Sequence, residues 1–202
     1  MNKIAAEEEI LAPFDSSYLH WTREQMTENR WSHTLGVIKN IDRLLENFPE
    51  LKPHSDQLRL AALFHDVAKD LPRHRQRRLA DKYRCGLDKI ELQLPPIWHG
   101  PAAAQLIMSK FEFNQEELLL SAISLHSTGS STKQIVCDAL IVADFAAFDR
   151  KFPEAKEIRD LIPRLSLNRL TLETIRYKLL ECLDSYKTLH PRSLEAYNRL
   201  CD

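Results

Sequence analysis

The chain has 202 residues, which is long enough for one domain with a substantial hydrophobic core. Its 28 basic and 29 acidic residues leave a formal net charge of −1, which argues against a general nucleic-acid or membrane-surface binder. No apolar run approaches the ~18–20 residues that cross a bilayer, and the acidic N-terminus does not resemble a signal peptide. We therefore expect a cytoplasmic protein without nucleic-acid or membrane partners, whose four widely spaced cysteines are reduced.

Helical periodicity predominates, because glycines are few and strand-like alternation is scarce. The pattern predicts helices over residues 17–30, 32–48, 55–69, 72–84, 99–111, 114–129, 131–148, 166–189 and 193–200. These helices predict an all-α fold with a single domain over residues 17–202. Residues 1–16 are expected to be an N-terminal extension, either a loose, mobile tail or an added turn.

The pair His65-Asp66 follows the apolar run "LRLAALF" near the end of the third predicted helix. A lone histidine on such a helix is usually a core residue, but an ionised carboxylate is costly to bury unless a cation compensates it. A metal ion is a suitable cation, because neutral imidazole and carboxylate are both ready ligands. Neighbouring helical residues point about 100° apart, so both side chains reach one centre only at a helix end or bend.

Other candidate ligands have similar surroundings. Asp144 lies within the apolar helix "ALIVADFAAF", where the sequence offers no evident partner for it, although an arginine, a serine or a backbone donor is the alternative. The full set contains four imidazoles and two carboxylates, which exceeds the needs of one tetrahedral zinc and suits two metal ions. Its members are His33, His65, Asp66, His99, His126 and Asp144.

This ordered set resembles the HD superfamily of metal-dependent phosphohydrolases. Within it, the chain looks like the YqeK group, the bacterial symmetrical diadenosine tetraphosphatases. The matching segments cover about residues 17–200 and are "RWSHTLGV", "LFHDVAKD", "HGPAAA", "HSTG", "AD" at 143–144 and "HPRSLEAYN". The resemblance implies an HD-domain helical bundle with a central dimetal cleft.

By this resemblance, one metal ion is held by His33, His65, Asp66 and Asp144, and Asp66 bridges to a second ion that His99 and His126 complete. The metals are expected to be two divalent or mixed-valence ions, iron in most of the family, with manganese, cobalt or zinc suiting the same ligands. Catalytic roles are expected for Asp66 and Lys69. The candidate substrate contacts are Arg30, Lys69, Thr128, Gly129, Arg150 and Arg192, for which capping or structural roles are the alternative.

The implied reaction is attack of a metal-bridging hydroxide on diadenosine tetraphosphate, which yields two ADP. One departure affects the substrate: the family follows its Ala-Asp pair with a Glu-Pro element, whereas this chain reads "ADFAAFDRKFP". The alternatives are therefore another nucleotide substrate (a dNTP, a nucleoside monophosphate or a guanosine alarmone), or a catalytically silent nucleotide-binding HD domain. The sequence does not predict an oligomeric state.

Overall fold

The structure, a computed structural model, describes residues 7–8 and 10–201. From Ser16 onward, ten α-helices are labelled α1 to α10: Ser16–Glu24, Glu28–Asn47, Ser55–Phe64, Arg73–Lys82, His99–Phe111, Glu117–Leu125, Ile135–Phe145, Pro153–Leu161, Leu167–Asp184 and Pro191–Cys201. Three short 3-10 helices lie between them, at Pro49–His54, Glu91–Gln93 and Pro95–Ile97. No β-strand occurs among the described residues, and the predicted all-α fold is confirmed.

Helix α7 lies at the centre of the bundle and packs against α2, α3, α6 and α9. Its residues 136–143 are all buried, because the helix is apolar on every side. Helix α5 packs between α4 and α6, and α10 packs on α9. Helices α2, α3, α5, α6 and α7 therefore converge on one interior region, with the start of α5 and the ends of α3 and α6 near it.

The predicted first helix over residues 17–30 is wrong at its C-terminal end, because α1 ends at Glu24 and α2 begins at Glu28. Thr27 caps α2, with its Oγ1 accepting a hydrogen bond from the Arg30 N–H at 3.4 Å. The Asp70 carboxylate accepts from the Thr27 N–H at 3.0 Å and from its hydroxyl at 2.9 Å. A residue distant in sequence thus stabilises this boundary.

Other helix predictions also need correction, since α7 covers Ile135–Phe145 rather than residues 131–148 and α9 ends at Asp184 rather than at residue 189. Helix α3 ends at Phe64, one turn before the predicted end at residue 69, and α6 begins at Glu117 rather than at Asn114. Helix α8, Pro153–Leu161, was not predicted at all. Its sequence signal is Pro153 at the first helical position, where a missing N–H costs nothing.

Part of the predicted N-terminal extension, residues 1–6 and 9, lies outside the described residues. Among the others, Ile10, Leu11 and Phe14 pack against the core, and the Trp31 indole N–H donates to the Glu7 carboxylate at 3.1 Å. The division into residues 1–16 and 17–202 stays a prediction. Within the described ranges, no helix is both long enough and apolar enough to span a membrane.

Candidate metal centre

The structure brings the six predicted ligands together as two groups of three. Within each group, the candidate ligand atoms all lie within 4.8 Å of one another. Five of the six residues are buried, and the Asp144 side chain is 16% exposed. The first group is His33, His65 and Asp144, and the second group is Asp66, His99 and His126.

Asp66 lies between the two groups. Its Oδ1 is 3.3 Å from His99 Nε2 and 3.8 Å from His126 Nε2, which places this oxygen in the second group. Its Oδ2 is 3.6 Å from His65 Nε2, on the side of the first group. A carboxylate with one oxygen facing each group has the geometry of a bridging ligand.

The end of helix α3 allows the adjacent residues His65 and Asp66 to face this region together. The His65 N–H still bonds to the Ala61 carbonyl at 2.9 Å, in the α-helical pattern. After it the chain tightens, and the Lys69 N–H bonds to the Asp66 carbonyl, three residues back, at 2.9 Å. The regular α-helix therefore ends at this pair, as the sequence analysis requires for both side chains to reach one region.

Three of the four imidazoles are oriented by the same local hydrogen bond. In each, Nδ1 lies 2.7–2.8 Å from the backbone carbonyl oxygen three residues earlier. A carbonyl oxygen only accepts, so Nδ1 carries the proton and Nε2 keeps a free lone pair. The three pairs are His65 with Ala62, His99 with Pro96, and His126 with Ile123.

The fourth imidazole, His33, is oriented by Asp149, which the sequence analysis missed. His33 Nδ1 lies 3.0 Å from Asp149 Oδ2, and His33 Nε2 lies 3.0 Å from Asp144 Oδ1. A carboxylate on the outer nitrogen fixes the tautomer and raises the basicity of the inner one. Asp149 follows α7 in the polar run "FDRK", which looks like an ordinary solvated loop and gives no signal of this role.

Several buried acceptor atoms face one another in the centre. His99 Nε2 and His126 Nε2 are 3.0 Å apart, although neither carries a proton if both Nδ1 atoms do. His65 Nε2 and Asp66 Oδ1 are buried and have no hydrogen-bond partner. Buried lone pairs without donors are costly, and cations between them would satisfy them. The donor set therefore fits metal ions, as four imidazole nitrogens and two carboxylates suit iron, manganese, cobalt or zinc.

The pKa values of most of the candidate ligands favour the protonation states that bind cations. Burial lowers the pKa of His126 to about 3, with repulsion from the other positive groups adding to it, and burial also lowers the pKa values of His65 and His99. Burial opposes ionisation of Asp66, but the neighbouring imidazoles and Lys69 outweigh it and lower its pKa. At neutral pH these imidazoles therefore offer lone pairs and Asp66 offers a negative charge.

His33 behaves differently from the other three histidines. Burial lowers its pKa, but the hydrogen bonds to Asp144 and Asp149 outweigh burial and raise the pKa to about 9. When no cation lies in the first group, His33 Nε2 therefore carries a proton and donates a hydrogen bond to Asp144 Oδ1. A metal ion at this position would replace that proton.

Two predicted substrate contacts, Arg30 and Arg150, are paired with candidate ligands, and their contact with substrate stays a prediction. Arg30 Nη1 donates to Asp66 Oδ2 at 2.7 Å, and Arg150 Nη2 donates to Asp144 Oδ1 at 2.9 Å. Asp144 is therefore paired with both Arg150 and His33, and an arginine is one of the partners that the sequence analysis left open for it. The periodicity of α7 could not reveal this pair, since Arg150 lies beyond the end of the helix.

Lys69 lies beside His99 and Asp66, and its catalytic role stays a prediction. Its Nζ is 3.0 Å from His99 Nε2 and 3.6 Å from Asp66 Oδ1, and 35% of its side chain is exposed. Two polar groups nearby were not singled out from the sequence. Ser127 Oγ is 3.3 Å from Nε2 of both His99 and His126. Lys178 on α9 donates to the His126 carbonyl oxygen at 3.2 Å.

The remaining predicted contacts lie where α10 meets the loop after α6. Arg192 donates to Thr128 Oγ1 at 3.4 Å and to Glu91 Oε1 at 3.1 Å. Gly129 has φ +82°, and a Cβ there would lie 2.9 Å from the Ala196 Cβ. Turn geometry and close packing therefore account for the glycine. The substrate contacts of Thr128, Gly129 and Arg192 stay predictions.

Comparisons with known proteins agree with this arrangement. The HD domain profile matches residues 30–174. The chain is 28% identical over 178 residues to a Bacillus subtilis protein named "Bis(5'-nucleosyl)-tetraphosphatase, symmetrical", covering 88% of this chain and 92% of the relative. Relatives of the same name from Halalkalibacterium halodurans and Staphylococcus aureus are each 24% identical, covering 90% and 87% of this chain and 94% and 89% of their own lengths.

The fold has also been seen in a solved structure. A predicted HD superfamily hydrolase involved in NAD metabolism, from Clostridium acetobutylicum, superposes with a TM-score of 0.79. The match covers 100% of this chain and 98% of the other at 24% sequence identity, and it supports the shared fold. The profile match, the relatives and the all-helical architecture together confirm the resemblance, and the chain belongs to the HD domain family of phosphohydrolases.

Proposed function

We propose that the chain hydrolyses diadenosine tetraphosphate symmetrically and releases two ADP. The observation that carries the proposal is the buried pair of ligand groups that share Asp66. The names of the three relatives support the substrate class, since each is called a symmetrical bis(5'-nucleosyl)-tetraphosphatase.

In this proposal, His33, His65, Asp66 and Asp144 hold one metal ion, and Asp66, His99 and His126 hold the other. Two bound ions would supply Lewis acidity toward phosphoryl oxygens and lower the pKa of a coordinated water near neutrality. Iron is the proposed metal, with manganese, cobalt and zinc as alternatives, because the imidazole and carboxylate donors suit all four.

The chain's own residues complete the site. Arg30 anchors Asp66 Oδ2, and Asp149 fixes His33, so both ligands are held before any ion arrives. Once His99 Nε2 is engaged as a ligand, the Lys69 ammonium loses that acceptor and is free to donate to a phosphoryl oxygen. Its partly exposed side chain makes it the cation placed to neutralise charge that develops on the transferred group.

The test is anaerobic purification without chelator, metal quantification, and an assay on a panel of nucleotides with product chromatography. We expect two metal ions per chain and ADP as the sole product from diadenosine tetraphosphate. If a dNTP, a nucleoside monophosphate or a guanosine alarmone is turned over faster than diadenosine tetraphosphate, that nucleotide is the substrate instead. Less than one metal ion per chain, with no turnover of any nucleotide, would favour a silent binding domain.

A further inference from the structure

An apolar cavity of about 370 Å³ lies beside the second group of ligands. Its walls come from α9, from the segment 186–193, and from residues 94, 96–97 and 127–128. Its size falls at the low end of the ~300–1,000 Å³ range of small-molecule sites. The apolar side chains that line it include Leu94, Pro96, Ile97, Ile175, Leu179 and Leu189.

Two residues that line this cavity also contact the candidate metal centre. Ser127 lines the cavity, and its Oγ is 3.3 Å from the inner nitrogens of His99 and His126. Lys178 also lines it and donates to the His126 carbonyl oxygen. A molecule whose reacting group lies at these imidazoles therefore has room for its remainder in the cavity.

The charge of the lining favours an anionic ligand with a flat apolar part. Lys178, Lys187 and His190 line the cavity, and among the described residues no aspartate or glutamate lines it. Lys187 pairs with Glu181 at 3.0 Å, whereas Lys178, which also lines the cavity, contacts the backbone of His126. A nucleotide would match both the positive charge and the apolar lining, with its phosphates beside Lys178 and its base against the aliphatic side chains.

A second cavity of about 260 Å³ lies on the other side of Ile97 and Thr128 and fits this role less well. It is lined by charges of both signs, including Asp88, Glu91 and Arg192. None of the side chains lining it hydrogen-bonds to the imidazoles of the second group in the described part of the chain. It therefore offers no direct path from the metal centre.

Tyr186 lies at the rim of the first cavity with its side chain in solvent. It is 98% exposed and has φ +53°, at the point where the Lys187 N–H closes α9 onto the Cys182 carbonyl at 2.8 Å. Glycine is favoured at such a left-handed helix end, and a bulky residue there is unfavourable. A costly backbone conformation that presents a free aromatic ring at a cavity rim points to a functional contact.

We propose that this cavity binds one nucleoside of the substrate, with Tyr186 stacking on its base and the phosphates passing Ser127 and Lys178 to the metal centre. The inference rests on the function proposed above and names a binding site for part of its substrate. An aromatic ring at the rim can stack on any of the bases, because every base presents a π-face.

The first test fills the cavity. Cys182→Trp places an indole on a residue that lines it, and Leu183→Trp places the same indole on the next residue, which is 54% exposed and outside the lining. Calorimetry on metal-loaded protein measures the dissociation constants of ADP and of inorganic pyrophosphate. We expect Cys182→Trp to weaken ADP binding about tenfold or more and to leave pyrophosphate binding within about twofold. Leu183→Trp should change neither, and unchanged ADP affinity in Cys182→Trp would overturn the inference.

The second test separates binding from stability at Tyr186. Tyr186→Gly relieves a left-handed conformation, and Glu112→Gly does the same at an exposed residue with φ +56° at the end of α5. Both variants should melt at higher temperature than the parent chain, but only Tyr186→Gly should weaken ADP binding, while Tyr186→Phe should retain it. Equal ADP affinity in Tyr186→Gly and the parent chain would remove Tyr186 from the site.

These binding measurements do not depend on turnover, so the two proposals fail separately. A parent chain that leaves diadenosine tetraphosphate intact would overturn the proposed function, while a loss of ADP affinity in Cys182→Trp would still support a nucleoside site. Hydrolysis to ADP with full ADP affinity in Cys182→Trp would support the function and overturn the cavity's role.

Discussion

His99, the first residue of α5, and His126, which directly follows α6, place their Nε2 atoms 3.0 Å apart. The residue after His99 makes this approach feasible. A Cβ on Gly100 would lie 2.7 Å from the Ser124 carbonyl oxygen and 3.1 Å from that of Ile123. Helix α5 therefore meets α6 at backbone distance, beside the two imidazoles that the second metal ion would need.

Gly100→Ala should push these two helices apart. We expect a loss of about 1–3 kcal/mol in the free energy of unfolding, because the clash is with backbone rather than with a flexible side chain. We also expect reduced metal content, since His99 and His126 separate. Urea unfolding and metal analysis measure both effects, with Ser109→Ala at an exposed position of the same helix as the control. Normal stability and normal metal content in Gly100→Ala would contradict this account of the contact.

Asp149→Ala should affect the first ligand group selectively. Without the carboxylate, His33 loses the partner that fixes its tautomer, and metal affinity should fall about 10–100-fold at one of two sites. Metal titration should therefore show one weakened and one normal site, with Asp149→Asn intermediate. Asp160→Asn, at a surface pair with Lys156, controls for loss of charge. Two unaltered sites would show that Asp149 does not position His33.

Asp66→Ala should abolish turnover and strip metal from both groups, because each group would lose an oxygen ligand. His126→Ala offers a comparison, since it removes a ligand of the second group only. We expect metal content near one ion per chain in His126→Ala and below one in Asp66→Ala. Undiminished activity in Asp66→Ala with two ions bound would refute the shared-ligand arrangement.

The variant Lys69→Met should retain both metal ions but turn over substrate more slowly. The ammonium is proposed to neutralise phosphoryl charge, so its removal should lower kcat by about 100-fold or more. Arg78→Met on α4, an exposed residue of the basic run "RHRQRR", is the matched control. Steady-state kinetics and metal analysis distinguish a catalytic role of Lys69 from a structural one. Loss of metal from Lys69→Met would indicate the structural role.

Glu91→Gln should change the pH dependence of stability. His190, whose Nε2 lies 3.6 Å from Glu91 Oε1, outweighs burial together with Arg192 and the Asp88 N–H, and lowers the pKa of Glu91 from 4.5 to about 2. A lowered folded-state pKa stabilises the protein above pH 4.5, and this contribution is lost as pH falls from 4.5 toward 2. Allowing for solvent screening, the variant should be about 1–2 kcal/mol less stable at pH 6 and should approach the parent near pH 2.

Unfolding by denaturant across this pH range measures the difference directly. Glu195→Gln makes the same charge change at an exposed position of α10 and serves as the control. A constant difference between Glu91→Gln and the parent from pH 6 to pH 2 would show that the ion pair with Arg192 does not form.

Helix boundaries show where local sequence information was insufficient. The break between α1 and α2 was predicted several residues late, because Thr27 is held by Asp70 as well as by its own helix. Asp149 was missed for a similar reason, since it contacts His33 from a loop with no distinguishing pattern. Both contacts join residues far apart in sequence, and periodicity carries no information about them.

The sequence by itself determined the all-helical class and which polar residues lie among apolar ones, because a repeating hydrophobic pattern specifies which helix face is buried. Three of the four imidazoles are also oriented locally, each by a carbonyl three residues earlier. Only the tertiary structure decided how six residues divide into two groups around Asp66, and that Arg150 satisfies Asp144. The distances between side chains on different helices depend on how closely those helices pack. Contacts such as that of Gly100 with the backbone of α6 determine this packing.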